Sequence, residues 1–310
     1  MLLLSYIIKK ISQKTLPSRQ EGGPVLKLRT VLDYPDMSAD PFEFKSNNLF
    51  LRGFRYSIGP GPYKGVMIFF HGLNAGHYAY EDEIHSLAKE GYLVYAYDNE
   101  CCGISDGEHW WALSSALINQ RDFFKWLDSD EKAQGLKRYT IGHSWGGFVA
   151  LCSLQKEYKV DKVCSMSGFG NIIKACIHEM PKIKYMAFLL RIAYFRYYGK
   201  YGNMNAHKLL KKSEIPVLLV HGDLDDTVEY KDNFLDIKEK LSYKNNISYL
   251  VSKDRYHQPY MTIEAQNYYR YLVISGIAKG LVNPVPEIDY DKLINEDKEI
   301  MRQIFDFFDK

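Results

Sequence analysis

The chain alternates between short, unbroken apolar runs and longer stretches whose apolar residues recur at helical spacing. Gly65–Phe70 reads GVMIFF and Tyr92–Tyr97 reads YLVYAY. Runs without polar alternation belong to strands covered on both faces, as in parallel sheets. Further strands are expected at Arg138–Ile141, Val160–Ser167, Val217–His221 and Ile247–Val251. A strand pair is expected over residues 40–58, with Ser46, Asn47 and Asn48 in its turn. Helical spacing covers Glu81–Glu90, stopped by Gly91, and residues 114–128, where Leu117, Phe124 and Leu127 face a core. Two more helices are expected at Gly146–Glu157 and, with Asn295 as N-cap, at Asn295–Phe308. Strands alternating with helices of this length indicate βαβ units and an α/β fold around a mostly parallel sheet.

Two stretches break the rhythm. Residues 169–213 separate two strands and are far longer than the roughly 2–6 residues of an αβ connection. They contain KYMAFLLRIAYFRYY, an apolar and aromatic helix carrying Arg191 and Arg196. This insertion is expected to cap the carboxyl ends of the strands, with its Tyr and Phe side chains as a candidate acyl-binding wall; a plain packing helix is the alternative. At the other break, MLLLSYII at the N-terminus precedes Lys9 and Lys10, the reverse of a signal peptide's charge order. Eight residues cannot cross a bilayer, which needs about 20. A packed amphipathic helix is expected there, and a weak contact with a membrane surface is the alternative. The expected organisation is an N-terminal helix and loop over 1–40, a core over 41–168 and 214–310, and a helical cap over 169–213.

Composition narrows the function classes. Lys+Arg and Asp+Glu nearly balance, leaving a net charge of +2, so no clustered basic surface argues for nucleic acid. The five cysteines are odd in number and lack CxxC spacing, which argues against zinc and against a disulfide framework and makes a reducing cytoplasm the default location.

The chemistry concentrates at Tyr139–Gly147, YTIGHSWGG. A strand runs into Gly142-His143-Ser144-Trp145-Gly146 and then into a helix, which is the context of a G-x-S-x-G nucleophile elbow. The reversal forces Ser144 into a strained conformation, and glycines on both sides avoid clashes. The helix N-terminus behind Ser144 offers free N–H groups to an oxyanion. A serine hydroxyl needs a base to take its proton, and in this motif acid and base follow in the order Ser, Asp, His. The strand Val217–Val220 ends in HGDLDDTV, with Asp223, Asp225 and Asp226 as candidate acids. The strand Ile247–Val251 leads to His257. All three sites lie at the carboxyl edge of the sheet, where ligand sites of open α/β sheets are found. Upstream, Gly65–Phe70 ends in HGLNAG, whose small turn can aim the N–H of Leu73 at a reacting carbonyl. With the N–H of Trp145 it would form an oxyanion hole.

The succession HGLNAG, YDNECCGISDG, GHSWGG, HGDLDDTV and a late histidine resembles the α/β-hydrolase superfamily, and more narrowly its monoacylglycerol-lipase and serine-aminopeptidase branch. The resemblance covers about residues 50–275. It implies an eight-stranded, mostly parallel sheet with the cap between strands six and seven, a Ser-Asp-His triad, and no cofactor or metal. In the family pattern the acid follows His-Gly after two residues, which matches Asp225. Asp98 and Gly103 match a structural turn. The chain departs from the pattern at Cys101-Cys102, and in a stretch over 260–290 that is longer than usual.

Among the three aspartates, Asp223 sits very near the strand end and Asp226 is placed to close the turn, leaving Asp225 to orient His257. His71 and His221, in His-Gly turns, are expected to support loops, and His143 to pack beneath the elbow. The expected reaction is hydrolysis of small-molecule carboxylic esters through an acyl-enzyme on Ser144. A thioesterase or a serine aminopeptidase would use the same residues. The latter needs cap carboxylates for an ammonium group, and 169–213 holds only Glu179, with Glu214 just outside. A small-molecule receptor on the same fold is the non-catalytic alternative.

Overall fold

In the computed structural model the described residues are 26–310 apart from 28, 74, 109–112, 180–184 and 186. The expectation for the N-terminal helix therefore falls outside the described residues.

The elements run β1 (Ser38–Ser46), β2 (Leu49–Ser57), β3 (Val66–Phe70), α1 (Glu81–Lys89), β4 (Leu93–Tyr97), α2 (Ser115–Leu127), β5 (Arg138–His143), α3 (Trp145–Cys152) and β6 (Lys162–Met166). There follow α4 (Ile172–Glu179), α5 (Ala187–Tyr198), α6 (Ala206–Lys212), β7 (Val217–Gly222), α7 (Asp236–Lys240), β8 (Ile247–Ser252), α8 (Ile263–Ile274), α9 (Tyr290–Leu293) and α10 (Lys298–Asp309). The eight strands form one sheet in the order β1-β2-β4-β3-β5-β6-β7-β8. β1 pairs antiparallel with β2, and β2 with β4; every other pairing is parallel. The expected α/β class and mostly parallel eight-stranded sheet are thus what the structure has.

The unbroken apolar runs follow from burial on both faces. Along β3, Val66, Ile68 and Phe70 enter one core cluster, with Leu117 and Phe148 from the helices on that side. Met67 and Phe69 enter the other, with Ile84 of α1 and Ile304 of α10. All five residues of β3 and all five of β4 are buried. At roughly 1.5–3 kcal/mol per fully buried large apolar side chain, these strands anchor the domain.

Three expectations shift. The helix after the elbow ends at Cys152, short of Glu157. There the Ser153 hydroxyl turns back to the Ala150 carbonyl (2.6 Å) and to Thr140 Oγ1 (2.8 Å), and the chain leaves the helical path. The last helix is capped by Asp297, whose carboxylate accepts from the N–H groups of Glu299 and Ile300, so it starts after Asn295. The stretch 260–290 contains an unforeseen helix, α8, capped by the Thr262 hydroxyl on the Ala265 N–H. Between β6 and β7 the described part of the insertion includes the α-helices α4, α5 and α6.

Candidate active site

The reversal from β5 into α3 places Ser144 at φ +57° and ψ −119°, a region that L-residues rarely adopt and that stores strain. The flanking glycines are steric necessities. A Cβ on Gly146 would lie 1.9 Å from the Phe70 carbonyl oxygen, and one on Gly142 would lie 2.4 Å from that of Gly146. β3, β5 and α3 thus approach closely enough that any side chain would push the turn out of place.

Ser144 and Asp225 lie 113 and 32 residues from His257 along the chain, and the three meet at the carboxyl edge of β5, β7 and β8. His257 Nε2 lies 2.9 Å from Ser144 Oγ. His257 Nδ1 lies 3.1 and 3.0 Å from the two oxygens of Asp225. The carboxylate can only accept, so Nδ1 carries a proton toward Asp225, and Nε2 is left to accept from the Ser144 hydroxyl. Asp225 Oδ1 also accepts from the N–H groups of Thr227 (3.0 Å) and Val228 (2.9 Å). His221 Nε2 approaches Oδ2 at 3.2 Å. Burial of Asp225 would raise its carboxyl, but hydrogen bonds from His221 and His257 outweigh that and hold it far below the usual carboxylate range. Asp225 stays ionised under the imidazole. Of the other two aspartates, Asp223 accepts from the Asp254 N–H (2.7 Å), and exposed Asp226 lies 3.7 Å from Arg270. Asp225 alone of the three touches His257 among the described residues.

A second hydrogen-bonded chain, unforeseen in the sequence, runs beneath the first. His143 Nε2 lies 2.7 Å from the His257 carbonyl, which can only accept, so this nitrogen carries the proton. His143 Nδ1 is then an acceptor, and the Tyr80 hydroxyl donates to it at 2.9 Å. Tyr80 in turn accepts from the Gly72 N–H at 3.1 Å. Burial and the neighbouring His257 push His143 down to about 3, so it is neutral, as this pattern requires. One continuous set of bonds ties the turn after β3, the elbow and the backbone of His257. His143 therefore does more than pack. No signal distinguished Tyr80 among 25 tyrosines, because its partner lies 63 residues away.

Two further polar clusters, around His71 and around Asp98, brace the turns. His71 Nδ1 donates to the Gly72 carbonyl (2.8 Å), and its Nε2 accepts from the Asn99 N–H (3.0 Å). Asp98 accepts from the N–H groups of His77 (2.7 Å) and Ile104 (2.8 Å). A Cβ on Gly103 would lie 1.9 Å from Asp98 Oδ2, which explains the glycine in that turn.

Ser144 and His257 open into a cavity of about 570 Å³, a size suited to a small organic ligand. Leu73 and Trp145 line it beside Ser144. Phe169, Lys174 and Ala175 reach it from the start of the insertion. None of the described Tyr and Phe side chains of α5, which were the candidates for an acyl-binding wall, lines it. Apolar side chains of the lining include Leu113, Tyr260 and Met261. Glu179 has its helix described but not its side chain. A carboxyl that the sequence did not mark, Glu83 of α1, also lines the cavity. It is 4% exposed and, among the described residues, is bonded only by its own backbone amide. Burial and Glu296 nearby push Glu83 up, and burial pushes Glu296 up to about 7 against a hydrogen bond from Ser86. No group of His, Cys, Asp and Glu among the described residues could hold a metal ion.

Against known proteins, residues 61–198 match the family model described as serine aminopeptidase, S33. The match includes Ser144 and stops before Asp225 and His257. The fold resembles that of an esterase from Pyrococcus furiosus, with 20% identity, 84% of this chain and 98% of that chain covered, and a TM-score of 0.60. It is similar to an α/β hydrolase from Penicillium sp. sh18, with 16% identity, 87% and 98% covered, and a TM-score of 0.56. An acylaminoacyl peptidase from Pyrococcus horikoshii shares 15% identity over 85% of this chain and 45% of its own, with a TM-score of 0.56. No curated protein matches the sequence. The chain has the fold of the α/β hydrolases, and its middle part is similar to the serine aminopeptidase family, in agreement with the resemblance carried by its motifs.

Proposed function

We propose that the protein is a serine hydrolase that cleaves small-molecule carboxylic esters through an acyl-enzyme on Ser144. The observation that carries this is His257 bridging Ser144 Oγ at 2.9 Å and Asp225 at 3.0 Å, above a ligand-sized cavity. His257 takes the Ser144 proton as Oγ attacks the carbonyl carbon, then gives it to the leaving alcohol. Asp225 fixes the imidazole tautomer and stabilises the imidazolium. The N–H groups of Leu73 and Trp145, both on the cavity wall beside Ser144, stabilise the oxyanion. Water then attacks the acyl carbon with His257 as base, which regenerates the hydroxyl. No cofactor enters this scheme. Residues 169–213 act as the cap, and an odd number of cysteines without CxxC spacing favours a cytoplasmic setting.

One observation favours a second reading, in which the cleaved bond is an amide next to a free ammonium group. Glu83 brings to the cavity a buried carboxyl group from outside the insertion, one that would ionise on pairing with an ammonium group. A panel of p-nitrophenyl esters of increasing acyl length, run beside aminoacyl p-nitroanilides, separates the two. Faster turnover of esters supports the first reading, and faster turnover of anilides supports the second. In either case a fluorophosphonate probe should label the peptide bearing Ser144, and Ser144→Ala should abolish turnover. Most of the activity surviving in that variant would remove Ser144 from the mechanism. No labelling and no turnover of any substrate would leave a binding protein.

A further inference from the structure

The aromatic helix of the insertion has a face that the site does not use. On α5, Ala193 and Tyr194 are buried at 7% exposure each, whereas Phe188 is 73% and Phe195 61% exposed. Ile192 and Leu189 are half exposed beside them. At about 100° per residue, Phe188, Ile192 and Phe195 fall within an arc of about 60° directed away from the buried side. Arg191 lies about 40° beyond one edge of that arc and Arg196 about 40° beyond the other. Both arginines are exposed, and neither has a carboxylate partner among the described residues. Tyr185, just before the helix, is also exposed. Charge is distributed in the same sense. Residues 169–213 carry nine lysines and arginines against one acidic residue, Glu179, in a chain whose net charge is only +2.

We infer that α5 is an interfacial helix that seats the protein on an anionic lipid surface, with Phe188, Ile192 and Phe195 entering the acyl boundary. The arginines mark the occupant. At the edges of an apolar stripe their stems follow the hydrocarbon while their guanidinium groups stay with headgroup phosphates. Among the described residues, Phe188, Ile192 and Phe195 line neither of the two cavities found. A helix of 12 residues is too short to span, and no helix among the described residues is long and apolar enough to do so. Lying in the interface plane is the arrangement that satisfies both faces. This inference does not depend on the chemistry at Ser144, because none of the three apolar residues lines the cavity.

The full chain is mixed with extruded phosphatidylcholine vesicles, with and without phosphatidylserine, and sedimented. Binding is expected to the anionic vesicles, weaker to the neutral ones, and reduced by salt. Phe188→Ser with Phe195→Ser should lower the vesicle partition coefficient by about tenfold or more. Arg191→Glu with Arg196→Glu should do the same on anionic vesicles only. Hydrolysis of a soluble short-chain ester, or fluorophosphonate labelling if no ester turns over, should be unchanged in both variants and reports intact folding. Vesicle binding that survives the paired phenylalanine replacement would assign the contact elsewhere on the chain and overturn the inference. So would absence of binding by the parent protein, whether it elutes as a monomer or as a dimer that the replacement dissociates.

Discussion

Replacing Asp225 by asparagine tests the proposed role of the carboxylate with almost no change of shape. In the parent protein Oδ1 accepts the backbone N–H groups of Thr227 and Val228, while His257 Nδ1 reaches both oxygens and His221 approaches Oδ2. An asparagine keeps its amide oxygen on the two backbone donors, which fixes the amide NH2 toward the imidazoles. An NH2 group donates, so His257 Nδ1 must become the acceptor and its proton moves to Nε2. That nitrogen, 2.9 Å from Ser144 Oγ, can then no longer take the hydroxyl proton. A wrong tautomer in such a triad costs about 10⁴-fold in kcat, or about 5.4 kcal/mol at 1.36 kcal/mol per decade. KM should change little, because Asp225 is absent from the cavity wall. Loss of charged hydrogen bonds should also lower stability by about 2 kcal/mol. Because the folded carboxyl sits below its unfolded value, its contribution is present above about pH 4 and is lost as pH falls toward the folded value. The variant should therefore lose part of the parent's acid sensitivity. The assay is p-nitrophenolate release together with the rate of fluorophosphonate labelling, with Asp223→Asn and Asp226→Asn as controls expected near parent activity. A kcat for Asp225→Asn within tenfold of the parent, or an equal loss in either control, would refute the reasoning.

Tyr80→Phe leaves His143 Nδ1 and the Gly72 N–H without their partner in a buried region, at about 1–3 kcal/mol each. Because that chain ends on the His257 backbone, kcat should fall about tenfold while KM holds. A lower melting temperature with unchanged kcat would reduce Tyr80 to a structural role. For Glu296, held up at about 7 by burial, stability is fullest below the unfolded carboxyl value and declines as pH rises through about 7. Glu296→Gln should thus raise the melting temperature by several degrees at about pH 8 and hardly at all at about pH 4, a difference of about 2 kcal/mol at the higher pH. Equal shifts at both would show that the folded carboxyl titrates no higher than the unfolded one.

Sequence alone determined the features whose causes are local. Unbroken apolar runs such as VMIFF had to become doubly covered strands, and the elbow could be read because Gly142 and Gly146 are demanded by atoms within one turn and its neighbouring strand. The order in which the chain supplies Ser144, Asp225 and His257 was legible for the same reason, since each sits directly after a strand. Tertiary structure decided what depends on residues distant in the chain. Ser153 and Asp297 set helix ends through side-chain bonds that compete with helical periodicity. Tyr80 acquires a place beside the site solely because α1 packs where His143 emerges, and Glu83 meets the cavity for the same reason. Helix α5 shows the limit from the other side: its apolar composition said that it must cover something, but only packing showed that Phe188 and Phe195 face away from the cavity. Periodicity reports that a face is apolar, while what lies against that face is settled by contacts between segments that the sequence leaves far apart.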